Sequence, residues 1–164
     1  MKARAKKNNL ERMIQLAQEF FDVKNDPSQI SVTEETMEKL RKIHPDTLNE
    51  KASKDGPVAW VLLLPTTNEL MKQFLRNRIS EQQLLEKTPV GGTYDAIYLC
   101  SALVLPEYRG KGLARKLIYR GIRFMRNQHP VKCLFFWAFS IEGSRLAASV
   151  AKELDLPLYE RSPD

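Results

Sequence analysis

Runs of apolar residues predict the strands of a central sheet. The sequence VAWVLLL occupies residues 58–64, AIYLCSALVL occupies residues 96–105, and KCLFFWAF occupies residues 132–139. The first run is continuous rather than alternating, which is typical of a strand that is covered on both faces. A last short strand is expected at residues 158–159, after Pro157.

Between these runs, apolar residues recur at helical spacing. Strand–helix–strand–helix order from residue 96 onward implies right-handed crossovers and parallel strand pairing in this half. A capping box of Ser31 and Glu34 is expected to open the second helix. The pattern predicts helices over residues 10–21, 31–43, 67–87 (interrupted near 79–80), 112–127 and 144–154.

Size and composition favour one folded domain over residues 1–164. Hydrophobic residues make up 43% of the chain, enough for a core, and the longest apolar run is too short to span a membrane. The basic start MKARAKK is not followed by an apolar stretch, so no secretory leader is expected. Cys100 and Cys133 lack metal-ligand spacing and lie in strand-like runs. We therefore expect buried free thiols, a cytoplasmic location and no metal.

The net charge of +6 is concentrated in one window of the chain. Residues 106–128 hold seven of the 26 basic residues and one of the 20 acidic residues, so the rest of the chain is balanced. A basic helix face is often only solvated surface. That explanation does not account for the position of the window, which begins beside two glycines. The basic residues are Arg109, Lys111, Arg115, Lys116, Arg120, Arg123 and Arg126.

The turn YRGKG, between the second predicted strand and a helix, has the composition of an anion site. Gly110 and Gly112 allow close backbone approach to a ligand, and the helix that follows begins with unpaired N–H groups. Arg109 and Lys111 add full positive charges. A plain turn that uses glycine for its geometry is the alternative. Two other phosphate motifs do not fit, because a Walker loop needs Lys-Ser/Thr after the last glycine and the dinucleotide motif needs a third glycine at position 115.

The string VLPEYRGKGLA at residues 104–114 resembles the signature of the GNAT superfamily of acyl-CoA-dependent N-acyltransferases, V-x-P-x-[YF]-[RQ]-x-x-G-x-[GA]. The resemblance implies an α/β (α+β-like) fold, with a single mixed central sheet flanked by helices on both faces. It implies an enzyme that transfers an acyl group, usually acetyl, from acetyl-CoA to a small-molecule or peptide amine by direct attack on the thioester. Resemblance covers residues 96–160, and the β-hairpin expected before the central strand is not evident.

The same resemblance assigns the cofactor-binding residues. Backbone amides of the turn would bind the pyrophosphate of coenzyme A, and the edge of the central strand would bind the pantetheine arm as another strand would. An amide of that strand, that of Val104, would stabilise the oxyanion. Arg115, Lys116 or Arg120 would reach the 3′-phosphate. The implied set is Ala102, Leu103, Val104, Arg109, Gly110, Lys111, Gly112, Leu113, Ala114 and Ser144.

Departures from the family pattern leave the catalytic residues open. Downstream, Ser144 stands for the family's Asn, Asp155 for Gly, and Ala151 for the Tyr that commonly protonates the departing thiolate. Alanine cannot supply a proton. Substitutes for the base or acid, each of which also fits a structural role, are Glu142, Tyr98, Ser149, Asp95, Glu69 and Tyr159.

Two other classes of function are compatible with the sequence. A basic nucleic-acid-binding protein would use MKARAKK and the arginine-rich helix as phosphate contacts, but no exposed aromatic residues are interleaved with these basic residues. A non-catalytic acyl-CoA-binding or protein-interaction domain of the same fold would explain the missing tyrosine. No membrane partner is expected, and the oligomeric state is left open, a homodimer included.

Overall fold

A five-stranded mixed sheet forms the centre of the protein. The computed structural model describes residues 8–21, 29–30, 33–138 and 140–161. The strands are β1 (Leu48–Ser53), β2 (Gly56–Thr66), β3 (Ala96–Val104), β4 (Cys133–Phe136) and β5 (Leu158–Glu160). The helices are α1 (Asn9–Phe21), α2 (Glu34–Ile43), α3 (Asn68–Leu75), α4 (Glu81–Lys87), α5 (Leu113–Gln128) and α6 (Ile141–Leu154), with a short 3₁₀ turn at Pro106–Tyr108.

The strands lie in sequence order, and their direction changes at the middle of the sheet. The pairs β1–β2 and β2–β3 are antiparallel, whereas β3–β4 and β4–β5 are parallel. The helices α5 and α6 connect the strands of these two parallel pairs, as the sequence predicts for this half. The mixed sheet of the predicted α/β fold class is thus confirmed.

Helices cover both faces of the sheet. The side chains of β3 alternate between these two faces, so β3 contributes to the core on each side. Tyr98 belongs to a core beneath α2, α3 and α4, and Ile97 belongs to a core beneath α5 and α6. A smaller cluster joins Met13 of α1 to Val58 of β2 and Leu103 of β3. β3 is therefore covered on both faces. Its backbone is accessible along the part of its edge that does not pair with β4.

The hairpin that the sequence did not reveal is formed by β1 and β2. Its strands pair from Leu48↔Leu62 to Ser53↔Gly56 around a turn at residues 54–55. In β1 only Asn49 is buried, so this edge strand has no alternating apolar pattern to mark it. Backbone pairing with β2 holds it, which the sequence pattern cannot show.

Several predicted boundaries are shifted by local capping. The helix α2 begins after Thr33, whose Oγ1 accepts a bond from the Thr36 amide at 3.1 Å, whereas Ser31 of the predicted capping box lies outside the described residues. The predicted break between α3 and α4 is confirmed at residues 76–80. The helix α6 starts three residues earlier than predicted because Ser140 caps it, with Oγ accepting from the Gly143 amide at 3.0 Å. β4 ends at Phe136, before the predicted end at 139, a residue outside the described part.

α5 packs closely on the sheet at Gly121, and we expect Gly121→Ala to destabilise the protein. A Cβ at this position would lie 2.7 Å from Leu63 Cδ1 and 3.0 Å from Asn49 Nδ2, which is itself bonded to the Asp46 carbonyl. Helix propensity would gain about 1 kcal/mol, whereas overpacking costs about 1–3 kcal/mol. Urea unfolding should show a net loss of about 1 kcal/mol.

The exposed substitution Ala148→Gly in α6 measures the propensity contribution alone and should cost about 1 kcal/mol. A Gly121→Ala variant that is more stable than the parent protein would show that α5 can move away from β2 without loss.

Candidate functional site

The central feature of the site is the point where β3 and β4 separate. The two strands pair from Ala96↔Cys133 to Leu99↔Phe136, and there the pairing stops. β3 continues to Val104, whereas the chain after Phe136 turns away toward α6. A cavity of about 780 Å³ occupies the opening. It is lined by the free edge of β3, by the turn that follows β3, and by the first residues of α5 and α6.

The free edge of β3 presents backbone groups to this cavity. The register with β2 skips from Leu99 to Ser101, which leaves Cys100 as the extra residue of a bulge. Beyond the bulge, the Leu105 amide bonds to the Val58 carbonyl on β2 at 2.9 Å. Because peptide groups alternate along a strand, the amides of Ala102 and Val104 point away from β2 toward the cavity. This edge is thus open to an extended ligand.

The turn after β3 is held in a conformation that exposes amides. Gly110 and Gly112 have φ values of 77° and 72°, in the left-handed region that favours glycine. No side chain caps α5 at its N-terminus in the described part of the chain. The first amides of α5, those of Leu113, Ala114 and Arg115, therefore lack helical acceptors. Together with the helix dipole, they form a site suited to an anion.

Two ion pairs fix the surroundings of this turn. Arg12 of α1 makes a bidentate pair with Glu107, at 2.6 and 2.7 Å, and the guanidinium lowers the pKa of Glu107 to about 2. Arg115 pairs with Glu153 of α6 at 2.6 Å. Arg109 turns back on the strand, since its Nε donates to the Val104 carbonyl at 3.0 Å. The amide of Arg109 itself donates to the Pro106 carbonyl at 3.3 Å, so the anion site begins at the amide of Gly110.

The structure brings together most of the cofactor-binding residues that the sequence predicts. Lys111 and Leu113 are not among the lining residues, although each lies between two residues that are. Ser144 is not among the lining residues, and its Oγ donates to the Ser140 carbonyl at 3.2 Å. The predicted residues that line the cavity are Ala102, Leu103, Val104, Arg109, Gly110, Gly112 and Ala114.

Behind the β3 bulge lies a buried carboxylate, that of Glu81, whose burial the sequence did not reveal. Glu81 of α4 is 5% exposed, and its carboxylate accepts bonds from the Ile30 amide at 2.8 Å and from Tyr98 Oη at 2.5 Å. Burial raises the pKa of Glu81, and these hydrogen bonds together with the charge of Arg161 offset part of that rise.

Two neighbours of Glu81 also have shifted pKa values. Burial raises the pKa of Tyr98 and that of Cys100 well above their usual values, and the negative charge of Glu81 raises both further. Arg161, at the end of β5, is 8% exposed, and its guanidinium lies 4.4 Å from the Phe74 ring centre and 4.6 Å from that of Trp137. This charge partly compensates the buried carboxylate.

The predicted catalytic candidates fall in different places. Glu142 lines the cavity and is exposed. Tyr98 is fully buried and bonded to Glu81, and Ser149 is not among the lining residues. Ala151, at the position of the family tyrosine, is 4% exposed and packs in the core beneath α5 and α6.

Glu81 was missed by sequence reasoning because it looks like an ordinary first-turn acid of an amphipathic helix. Its neighbours Ile30 and Tyr98 lie 51 and 17 residues away in the sequence. The only signal that could have marked it is its place in the helical insert between β2 and β3. The candidate that the sequence offered in that insert, Glu69, is exposed on α3.

Two features of the described residues bear on partners. No group of three or more His, Cys, Asp or Glu side chains is arranged to hold a metal ion there. None of the described helices combines the length and the apolar character needed to cross a membrane.

Comparison with known protein families identifies the fold. The family model for the acetyltransferase (GNAT) family matches residues 10–148. The match includes the N-terminal half, where the motifs alone showed no family pattern. No curated protein and no solved structure gives a significant match. The chain therefore belongs to the acetyltransferase (GNAT) family, whose members in general are acyl-CoA-dependent N-acyltransferases.

Proposed function

We propose that this protein transfers an acyl group, acetyl in the first instance, from acyl-CoA to an amine acceptor. The observation that supports the proposal is that the turn with the family signature lies beside the point where β3 and β4 separate. The uncapped start of α5 and the free edge of β3 border one cavity, which follows from the early end of the β3–β4 pairing.

The geometry suits an extended donor with an anionic end. The Arg109 amide donates to the Pro106 carbonyl at 3.3 Å, so the amides from Gly110 to Ala114 would bind the diphosphate, with Gly112 providing close backbone approach. The edge of Ala102 and Val104 would bind the pantetheine amides as a neighbouring strand would. Since Arg115 is paired with Glu153, we assign the 3′-phosphate to Lys116 or Arg120, both exposed on α5.

The reaction is a direct displacement at the thioester carbon. The amine nitrogen forms a bond to the acyl carbon, the C–S bond breaks, and the coenzyme A thiolate leaves and takes a proton. A backbone amide on the free edge of β3, beyond those bonded to the pantetheine arm, would stabilise the oxyanion of the tetrahedral intermediate. The buried Ala151 supplies no acid, but a thiolate with a solution pKa of about 8.5 can leave without one.

Two measurements test this function. Calorimetry should show one acetyl-CoA bound per chain, and release of free thiol should rise when an amine panel of amino acids, polyamines and peptides is added. A random DNA duplex serves as the comparison for the nucleic-acid hypothesis. Binding of acetyl-CoA without turnover of any amine would favour a non-catalytic acyl-CoA-binding domain, and tighter, salt-sensitive binding of the duplex would contradict the proposal.

A further inference from the structure

The outer face of α5 is the side of this helix that points away from the sheet. It consists of Lys116, Arg120, Arg123 and Phe124, which are all exposed and lie within an arc of about 100° around the helix axis. We propose that this outer face binds single-stranded nucleic acid, at a site separate from the donor cavity. The proposal goes beyond the acyl transfer proposed above and does not depend on it.

The charges of the outer face are not neutralised within α5. The helix contains five basic residues and no acidic residue. Two of the five are engaged with α6, where Arg115 pairs with Glu153 at 2.6 Å and Arg126 donates to the Leu154 carbonyl at 3.3 Å. The three on the outer face form no ion pair with any side chain that the structure describes. Their charge is therefore available to an anionic ligand.

This arrangement is unfavourable for the helix itself. Lys116 and Arg120 are four residues apart, and Arg120 and Arg123 are three apart, so like charges are neighbours on the helix surface. Lys116 also lies in the first turn, where the helix dipole favours acidic residues. The helix α2 has the opposite arrangement, with acidic residues in its first turn and basic residues in its last. A row of cations that is kept against these local costs indicates a ligand.

The acyl-CoA donor does not account for the whole outer face. Because an α-helix rises about 1.5 Å per residue, Arg123 lies about 15 Å along the axis from Leu113, where the anion site for the diphosphate is. Neither Arg123 nor Phe124 lines the donor cavity. The 3′-phosphate requires only Lys116 or Arg120. Arg123 and Phe124 are therefore left for a second ligand.

The spacing and the residue types of the outer face match a strand of phosphates and bases. Its basic residues repeat every three or four positions, about 4.5–6 Å along the axis, so they can contact successive phosphates of one strand. Arg123 is held over the ring of Tyr119, with its guanidinium carbon 5.7 Å from the ring centre. This contact limits the freedom that Arg123 would lose on binding a phosphate.

The exposed ring of Phe124 favours a single strand over other anionic partners. Phe124 is 48% exposed and lies one turn after Arg120. A base can stack on this ring while the arginine contacts the adjoining phosphate. Acidic peptide side chains offer no ring to stack, and the bases of a duplex are already stacked on each other. Single-stranded nucleic acid is thus the partner that uses both the charge and the ring.

Fluorescence anisotropy with a labelled oligo(dT) of about 12 nucleotides tests the charge contacts on the full chain. With three phosphate contacts, the affinity should fall about 20-fold between about 50 and 200 mM salt. Arg123→Gln should weaken binding and lower this salt dependence to about sevenfold, because one contact is lost. Arg41→Gln is the matched control and should behave as the parent protein. Arg41 is exposed on α2, which covers the other face of the sheet.

Phe124→Ala tests the stacking contact. It should weaken oligo(dT) binding about fivefold or more and leave the salt dependence unchanged, because no charge is removed. Tyr159→Ala removes a ring of similar exposure, 46%, from β5 and should not change binding. Circular dichroism checks that each variant is folded. A duplex of the same length should bind more weakly than the single strand.

Competition with acetyl-CoA separates the outer face from the donor site. Saturating acetyl-CoA should cost the oligonucleotide one contact at most, that of Lys116 or Arg120. Complete displacement would show that the oligonucleotide only occupies the phosphate site of the donor, which overturns the proposal. Tighter binding of a poly-glutamate peptide or of the duplex would assign the face to another partner and also overturn it. So would parent-like binding of oligo(dT) in both Arg123→Gln and Phe124→Ala.

Discussion

The variant Gly112→Glu is expected to lose acetyl-CoA binding while the protein stays folded. Gly112 precedes α5 in the left-handed conformation, and a Cβ there would meet no atom within 4 Å, so the protein itself has room for a side chain. The carboxylate would, however, occupy the anion site and repel a diphosphate. A weakening of at least about 100-fold, or about 2.8 kcal/mol, is expected, measured by calorimetry.

Gly91→Glu is the control for the backbone strain and the added charge. Gly91 has φ of 75° and, like Gly112, would have no atom within 4 Å of an added Cβ, but it lies in the loop before β3. Both variants should lose about 1 kcal/mol of stability from the left-handed conformation, and only Gly112→Glu should lose the ligand. Normal acetyl-CoA affinity in Gly112→Glu would show that this turn does not hold the diphosphate.

The variant Phe74→Ala is expected to cause the largest loss of stability. Phe74 of α3 is fully buried, and its ring centre lies 5.0 Å from that of Tyr98 and 5.8 Å from that of Phe135. The Arg161 guanidinium lies over the same ring. Removing a buried phenylalanine costs about 3–5 kcal/mol, since the cavity that is left only partly collapses. Urea unfolding should show this as a lower midpoint with an unchanged slope.

Phe124→Ala provides the matched comparison. Phe124 is 48% exposed on α5 between Arg123 and Arg126, so the expectation that no exposed aromatic residue lies among these basic residues is wrong. Because of this exposure, its truncation should change stability by no more than about 1 kcal/mol. Because Phe74 supports both Tyr98 and Arg161, its loss should also loosen the groups around Glu81. Equal losses from the two phenylalanine variants would mean that the core beneath α3 and α4 is not packed as described.

The strand-to-helix turn and the parallel half of the sheet could be predicted because their signals are local. Apolar runs mark β2, β3 and β4, and the family string at residues 104–114 lies in the loop where the structure has the uncapped start of α5. The edge strand β1 could not be predicted, since only its Asn49 is buried and its pairing depends on β2. The capping serine of α6 was overlooked because the apolar spacing begins after it.

The sequence by itself determined the fold class, the family turn and the positive charge around it, because each depends on residues close together in the chain. Tertiary structure alone decided which acid lies behind the cavity. Glu81, Tyr98, Ile30 and Arg161 come from four separate segments of the chain that meet only in the folded protein. Burial, and with it the raised pKa of Glu81, exists only once those segments have packed together.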